Sequence, residues 1–484
     1  MSSSPVDSPT TAKIPDQRMV PSFSDNPLDD RRVLVLGLGA SGNAAARLAL
    51  ALGATCQALD GDTNEGLEEA ADQLRSLGAT ACLAWGQEQP LPPADLIVIS
   101  PGIAPHSPLG RLAWAAAAPV ISELEFGARY CTCPVLAVTG TNGKTTTVEL
   151  TTHLLANMGL RVQSAGNIGL PVSACALASG DLDFLVVEVS SFQLEAVDRF
   201  QPAAAALLNV TPDHYDRHGG PEPYLAAKLA LLRRMSVANR VVLRGDLMAT
   251  PGIRQALAGM TGKPLLFAAR PDERCDFFAD DRTMYERRGG DVVPLAELDE
   301  LALVGRHNIE NALAALALLR AAGQSPQRGA GGLRTFRPSR HRLELVAEHN
   351  GVRFVNDSKA TNVDALCRAL ETVGATHPGQ RILLVAGGVD KDIDFSAVLP
   401  MLENQVREAF LIGTCRARLA KEWQGVVSCQ QFLTLEEAVS AASAAARPGD
   451  LVLLSPGCAS QDMFRNYAHR GDQFRALVKR RAGE

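Results

Sequence analysis

The chain lacks several things that a 484-residue protein can carry, and each absence removes a class of function. It has no basic run, and its net charge of −6 has the wrong sign for a nucleic-acid binder, so anionic ligands must be held by local sites. No uninterrupted apolar stretch reaches the length of a membrane span. Residues 1–28 are rich in Ser, Pro, Thr and Asp. They have no apolar core of a signal peptide and too many acids for a transit peptide, and they read as a disordered tail on a cytoplasmic protein. The ten cysteines are scattered; only Cys131 and Cys133 lie close together, with no second ligand pair beside them. Reduced thiols are expected, and no metal cluster. Neither a Ser-His-Asp nor a Cys-His arrangement offers a covalent nucleophile.

What is present is enough apolar residue (46%, against 21% charged) to build about three cores of ordinary size. The organising stretch is Val135-Leu136-Ala137-Val138 followed by Thr139-Gly140-Thr141-Asn142-Gly143-Lys144-Thr145-Thr146. The apolar residues predict a buried strand. A helix is expected from Lys144 or Thr145, with Leu150, Leu154, Leu155 and Met158 on one face and Gly159 as its C-cap. A strand feeding a glycine loop and a helix N-terminus gathers backbone N–H groups and dipole potential, and Lys144 adds a full charge. Thr145 places a hydroxyl where a phosphate-bound magnesium takes a ligand. Val138 stands where the general P-loop pattern has its first glycine, so this is a shortened variant.

Upstream, the strand Arg32–Leu36 leads into Gly37-Leu38-Gly39-Ala40-Ser41-Gly42 and an alanine-rich helix, and Asp60 closes a second strand. This is a G-x-G-x-x-G fingerprint with its acidic partner, and it predicts a diphosphate on a helix N-terminus. A nicotinamide dinucleotide and a UDP-sugar both satisfy that chemistry. Downstream, Phe184–Val187 is an apolar strand ending in Glu188, placed as a magnesium ligand. The strand at Ala205–Val210 runs into Asp213-His214-Tyr215-Asp216-Arg217-His218, a histidine among carboxylates. A helix is expected over Tyr224–Met235; by spacing alone its Lys228 is a solvated charge. Three later strands lead into loops at Asn356–Asn362, Gly387–Asp392 and Ser455–Phe464, where open α/β sheets bind ligands. Lys359 and Lys391 in successive loops point to an anion.

The ordered series GLGASG, SPGIA, TGTNGKTT, GNIGLP, VEVSSFQLE, LNVTPDHYDRH, AAKL, GRHNIENALAA, HRLE, NDSKATN and LLSPGCASQDMF resembles the Mur ligases, from about Arg31 to the C-terminus. These are the ATP-dependent amide-forming enzymes of peptidoglycan synthesis. Asn142 in the loop, and the absence of an Asp-Asn-Pro-Arg signature, place the resemblance with the D-glutamate-adding branch. The resemblance implies an α/β chain of three domains: Rossmann-like over 29–130, P-loop ATPase-like over 131–338 and Rossmann-like over 339–484. It implies ATP and Mg2+ as cofactors, with UDP-N-acetylmuramoyl-L-alanine and D-glutamate as small-molecule substrates of a monomer. By the same carry-over Lys144, Glu188, His214 and Lys228 are catalytic, Lys228 in carbamylated form. Gly140, Thr141, Asn142, Gly143, Thr145, Thr146, Asn308, Arg342, Asp357 and Lys359 bind ATP. Gly37, Gly39, Ala40, Ser41, Gly42 and Asn167 bind the UDP-substrate, and Thr361, Lys391, Ser460 and Phe464 bind D-glutamate. Thr145, Glu188, His214 and carbamylated Lys228 are the implied metal ligands, and domain closure is expected to assemble the site.

After Asp60 relatives can carry a Thr-Arg pair on the uracil, whereas this chain has Gly61-Asp62, which leaves its uracil contacts unassigned. A nicotinamide dehydrogenase would leave the P-loop unexplained. A nucleotide switch would not account for the lysine-bearing loops of the last domain. Folylpolyglutamate synthase is the nearest alternative chemistry in the family, and the N-terminal dinucleotide-type domain argues against it.

Overall fold

The structure is a computed structural model and describes residues 27–86, 89–301, 305–390 and 394–482. Residues 1–26 of the expected tail, and Lys391, lie outside the described residues. Leu28, at the end of the expected tail, is buried, and its N–H donates to Leu52 O (3.0 Å).

The chain divides into two compact units. The first comprises residues up to Val210, Arg217–Leu301 and Glu310–Phe336, and it contains two sheets. One is a five-stranded parallel sheet ordered Thr80–Cys82, Thr55–Leu59, Arg32–Leu36, Leu96–Ile99, Val120–Ser122. Its central strand, Arg32–Leu36, is apolar on both faces because helices cover both. Strand order reverses beside Arg32–Leu36, which opens a crevice at the carboxyl ends, between Gly37 and Ser100.

The other sheet has nine strands, with Val135–Thr139 flanked in parallel by Phe184–Glu188 and Ala204–Leu207. Every residue of Val135–Thr139 is buried, as the apolar run requires. The far edge is an antiparallel hairpin, Thr283–Arg288 with Asp291–Glu297. One apolar cluster takes in Val33 and Val35 from the first sheet and Ala137, Leu185 and Val187 from the second, so the two sheets share a core. The helix after the P-loop spans Lys144–Asn157, and Gly159 takes the left-handed φ (+86°) that ends it. The helix expected over Tyr224–Met235 instead starts at Pro221, stops at Leu229 and tightens into a 3₁₀ turn over Ala230–Leu232. Pro221 fixes its first turn.

The second unit comprises Thr211–Asp216, residues up to Ile309 from position 302, and Arg337–Glu484. Its six-stranded sheet is ordered Glu344–His349, Val352–Asn356, Leu451–Leu454, Ile382–Gly387, Val406–Ile412, Ser428–Gln431, and only its first strand is antiparallel. An apolar cluster fills each face. Thr211–Asp216 belongs here by contact, and Asn362 Nδ2 donates to Asp213 Oδ2 at 3.1 Å.

Candidate functional site

The short loop 140–143 follows a fully buried strand, and two of its glycines are there for space and torsion. Gly143 has φ +84°, and a Cβ on it would lie 2.3 Å from Asn311 Oδ1. Thr147 N–H donates to Gly143 O (2.9 Å), so the amides of Lys144, Thr145 and Thr146 precede the first intrahelical bond and face the loop end. The loop itself is pinned by a residue that sequence reading did not single out. Asn209, at the end of the neighbouring strand, accepts at Oδ1 from Thr141 N–H (3.1 Å) and Asn142 N–H (2.8 Å), and donates to Asn142 O (3.0 Å). Thr141 and Asn142 therefore shape the loop through Asn209. The only sequence signal for Asn209 was a polar residue closing an apolar strand.

Lys144 Nζ folds back onto Thr141 O (2.7 Å) and Gly140 O (3.0 Å). Thr145 Oγ1 donates to Glu188 Oε2 (2.7 Å), and Asn167 Nδ2 donates to Glu188 Oε1 (2.7 Å). Glu188 is buried on a strand with neighbours on both sides, which matches its reading as a central carboxylate. Hydroxyl and carboxylate oxygens meeting at a phosphate loop are hard donors of the kind magnesium takes. Among the described residues no three His, Cys, Asp or Glu side chains group to hold an ion.

Lys228 corrects the spacing-based reading. It is 2% exposed, donates from Nζ to Gly140 O (2.8 Å) and lies 4.5 Å from the centre of the Tyr224 ring. Tyr224 OH is in turn 3.0 Å from Thr141 Oγ1. Helical spacing identifies a face but not what covers it, and here the P-loop covers it.

The glycine motif near the N-terminus opens a cavity of about 840 Å³. Gly37, Gly39, Ala40, Asp60, Asn64 and Ser100 line it, together with Pro171, which ends the GNIGLP motif, and Ser173 and Leu177 beyond it. Ser41 and Gly42 do not line it. A Cβ on Gly42 would lie 1.6 Å from Gly37 O, so this glycine lets the helix start pack against the loop. Asp60 acts on the loop rather than standing apart from it: Oδ2 accepts from Leu38 N–H (2.7 Å) and Oδ1 from Asp62 N–H (3.0 Å). Asn167 is not on this wall; it contacts Glu188. Arg217 stacks on Phe192, pairs with Glu195 (2.6 Å) and donates to Pro101 O (2.8 Å), tying the SPGI loop down.

In the second unit His214, at φ +53°, lies 3.6 Å from Asp213 Oδ2. Asn308 N–H donates to Gly305 O (3.0 Å) at the start of the helix Arg306–Ala321. Asp357 accepts from Ser455 Oγ (2.9 Å) and Leu343 N–H (3.3 Å), and burial pushes its carboxyl up to about 7 although Arg342 and Arg470 pull the other way. Lys359 Nζ sits 3.9 Å from the Tyr467 ring centre. Ser460 is buried and its carbonyl accepts from Phe464 N–H (2.9 Å); Thr361 precedes Asn362, which caps the helix Val363–Thr376. Arg470, fully buried, donates to Ser358 Oγ (3.0 Å), Ser358 O (2.9 Å) and Cys458 O (3.1 Å), and so braces the Asn356–Lys359 and Ser455–Ser460 loops together.

Comparison with known proteins bears on all three regions. Family models described as "Mur ligase MurD-like, N-terminal domain", "Mur ligase middle domain" and "Mur ligase, glutamate ligase domain" match residues 31–122, 138–319 and 341–458. A relative from Acidobacterium capsulatum named UDP-N-acetylmuramoylalanine--D-glutamate ligase is 38% identical over 93% of this chain and 96% of its own. The chain belongs to the Mur ligase family. Its fold is likewise that of solved Mur ligases. MurF from Acinetobacter baumannii has a TM-score of 0.61 at 18% identity, over 93% of each chain. MurF from Thermotoga maritima in complex with ADP has a TM-score of 0.57 at 18% identity, over 88% of this chain and 96% of that one. The three-domain α/β organisation expected from the motifs is that of this Mur ligase, although two of its domains share one compact unit. Among the described residues, no helix is long and apolar enough to cross a membrane.

Proposed function

We propose that this Mur ligase joins D-glutamate to the alanyl carboxyl of UDP-N-acetylmuramoyl-L-alanine with hydrolysis of ATP to ADP and phosphate, as a cytoplasmic, monomeric enzyme of peptidoglycan precursor synthesis. The observation that carries the reading is the 2.7 Å contact between Thr145 and Glu188 at the start of the P-loop helix. A hydroxyl and a carboxylate beside a helix start are the donors that a phosphate-bound metal would take. The name of the Acidobacterium capsulatum relative, which this chain spans nearly end to end, supports the two substrates. The ADP of the Thermotoga maritima MurF structure supports the nucleotide. All ten cysteines are free, which suits a reducing compartment.

A carboxylate is a poor electrophile, so its activation sets the order of events. The alanyl carboxylate oxygen attacks the γ-phosphorus in line and the bond to the β-phosphate oxygen breaks, leaving an acyl phosphate and ADP. The D-glutamate amine then adds to the acyl carbon, a proton leaves the nitrogen, and inorganic phosphate departs as the amide forms. Thr145 and Glu188 would hold Mg2+, which supplies charge neutralisation at the phosphates when bound. Lys144, released from the carbonyls of Gly140 and Thr141, would pair with the phosphate oxygens, and the amides of Lys144–Thr146 would donate to them. Carbamylation of Lys228 would replace its bond to Gly140 O with an anionic ligand beside the loop. Gly37, Gly39 and Ala40 would take the diphosphate. His214, Asn308, Arg342, Asp357 and Lys359 would serve the nucleotide and reacting carboxylate, and Thr361, Lys391, Ser460 and Phe464 the amino acid.

The test is phosphate release from ATP with UDP-N-acetylmuramoyl-L-alanine, screened against D- and L-amino acids. Sustained release is expected with D-glutamate alone. Equal release with another amino acid, or with none, would overturn the assignment.

A further inference from the structure

Two cysteines separated by 43 positions meet in the second unit. Cys415 Sγ and Cys458 Sγ are 3.6 Å apart, in contact, and both side chains are buried. Cys415 follows the turn after the strand Val406–Ile412, and Cys458 lies in the loop after Leu451–Leu454. Between them is Gly388, after the strand Ile382–Gly387: its N–H donates to Cys415 Sγ (3.3 Å), and its carbonyl accepts from Cys415 N–H (3.1 Å) and Thr414 Oγ1 (3.1 Å). Val389 N–H donates to Ala459 O (2.9 Å), so the three post-strand loops are stitched at this one place. Ser460 is two residues from Cys458. Neither of these two cysteines has a part in the chemistry proposed above.

We propose that Cys415 and Cys458 are a modification site: a vicinal thiol pair that hydrogen peroxide converts to a disulfide, which reversibly lowers the enzyme's use of its amino-acid substrate. The consequence for that substrate rests on the function proposed above; the bond itself does not. The Cys458 thiol and the Gly388 amide both donate toward Cys415, which holds Cys415 below the usual thiol range and makes it the attacking sulfur. Its thiolate attacks one peroxide oxygen, the O–O bond breaks, and hydroxide leaves, taking the Cys458 proton to become water. Cys458 thiolate then attacks the resulting sulfenic sulfur, the S–S bond forms, and the second oxygen leaves as hydroxide, protonated to water by solvent. Two thiols and one peroxide thus give one disulfide and two waters. The oxidant has to be small, because both sulfurs are buried.

Bonding draws the sulfurs about 1.5 Å closer. Cys415 then loses the thiolate character that accepts from Gly388, and the shift is passed to Ala459 and Ser460. Displacements of that size at a positioned substrate cost on the order of ten- to a hundredfold in kcat/KM.

The experiment is peroxide treatment of the full-length protein, alkylation in denaturant, digestion and mass spectrometry, with activity followed in parallel. A linked Cys415–Cys458 peptide lighter by two hydrogens is expected. Its appearance should track a ten- to a hundredfold fall in kcat/KM for D-glutamate, reversed by dithiothreitol. Cys415→Ser, which keeps an acceptor for Gly388, should retain basal activity and resist peroxide. Recovery of both cysteines as alkylated thiols after treatment overturns the proposal, whatever activity does. A linked peptide with unchanged D-glutamate kinetics overturns its regulatory part, and a linked peptide in a protein that uses another amino acid overturns only the substrate assignment.

Discussion

Lys144 is satisfied in this structure by two backbone carbonyls, and the same Nζ has to serve a triphosphate when one is present. Its removal should leave the fold and the N-terminal cavity alone, because Gly140 O keeps the Lys228 ammonium as a donor and Asn209 still holds the loop. Lys144→Ala is therefore expected to abolish acyl-phosphate formation, with the Kd for the UDP-substrate unchanged within about twofold. Normal ATP turnover by that variant would remove Lys144 from the phosphate site. Asn209 makes the opposite kind of contribution. It touches no proposed ligand but holds two loop amides and one loop carbonyl. Asn209→Ala should cost about 1–3 kcal/mol of stability and raise the KM for ATP roughly tenfold by loosening the loop, with the KM for D-glutamate unmoved. A parallel rise in both constants would show that Asn209 does not act through the loop. The burial of Glu188 on a central strand could be read from the sequence because it closes an apolar run. Lys228 could not, because burial of a lysine depends on the loop that folds over it, and Cys415 and Cys458 could not, because sheet order alone makes them neighbours.

Elements were the most legible level. Strands at 32–36, 96–99, 135–139, 184–188 and 451–454 and the helices after the two glycine motifs follow from apolar runs and glycine positions. What the runs did not reveal is which elements pack across the boundary between the first two domains. The helix Glu123–Arg129 lies against the segment 171–177 there, and Glu123 is fully buried with Oε1 accepting from Ser173 N–H (2.7 Å). A helix N-terminus favours a carboxylate by at most about 2 kcal/mol. Burial wins, and it pushes Glu123 from the usual carboxylate range up to about 7, with only the Ser173 bonds opposing. Below about pH 4.5 the group is protonated in both folded and unfolded chains and costs nothing. Between about 4.5 and 7 the unfolded chain releases the proton while the folded chain keeps it, so stability falls as pH rises. Above about 7 the loss is complete, on the order of 3 kcal/mol. Glu123→Gln carries no such charge, so its melting temperature should gain on the parent's between pH 5 and pH 8. A gap that stays constant across that range would show that Glu123 is already ionised at pH 5.

At the scale of the whole chain, the sequence motifs count three domains, but the apolar contacts count two bodies. Val33, Val35 and Cys56 of the first sheet belong to the same buried cluster as Ala137, Leu185 and Leu243 of the second, so each sheet buries one face in a common core. The six-stranded sheet of the second unit closes its own clusters on both faces. A shared core melts as one cooperative body, and unfolding enthalpy scales with the number of residues that melt together. Calorimetry of the full chain is therefore expected to show two transitions, the larger from the first unit. The N-terminal cavity lies wholly within that unit. UDP-N-acetylmuramoyl-L-alanine at a hundred times its Kd should stabilise the first unit by about 2.7 kcal/mol and raise the larger transition by several degrees. Three transitions, with the ligand moving only the smallest, would show that the N-terminal sheet folds alone and that the shared cluster contributes little cohesion.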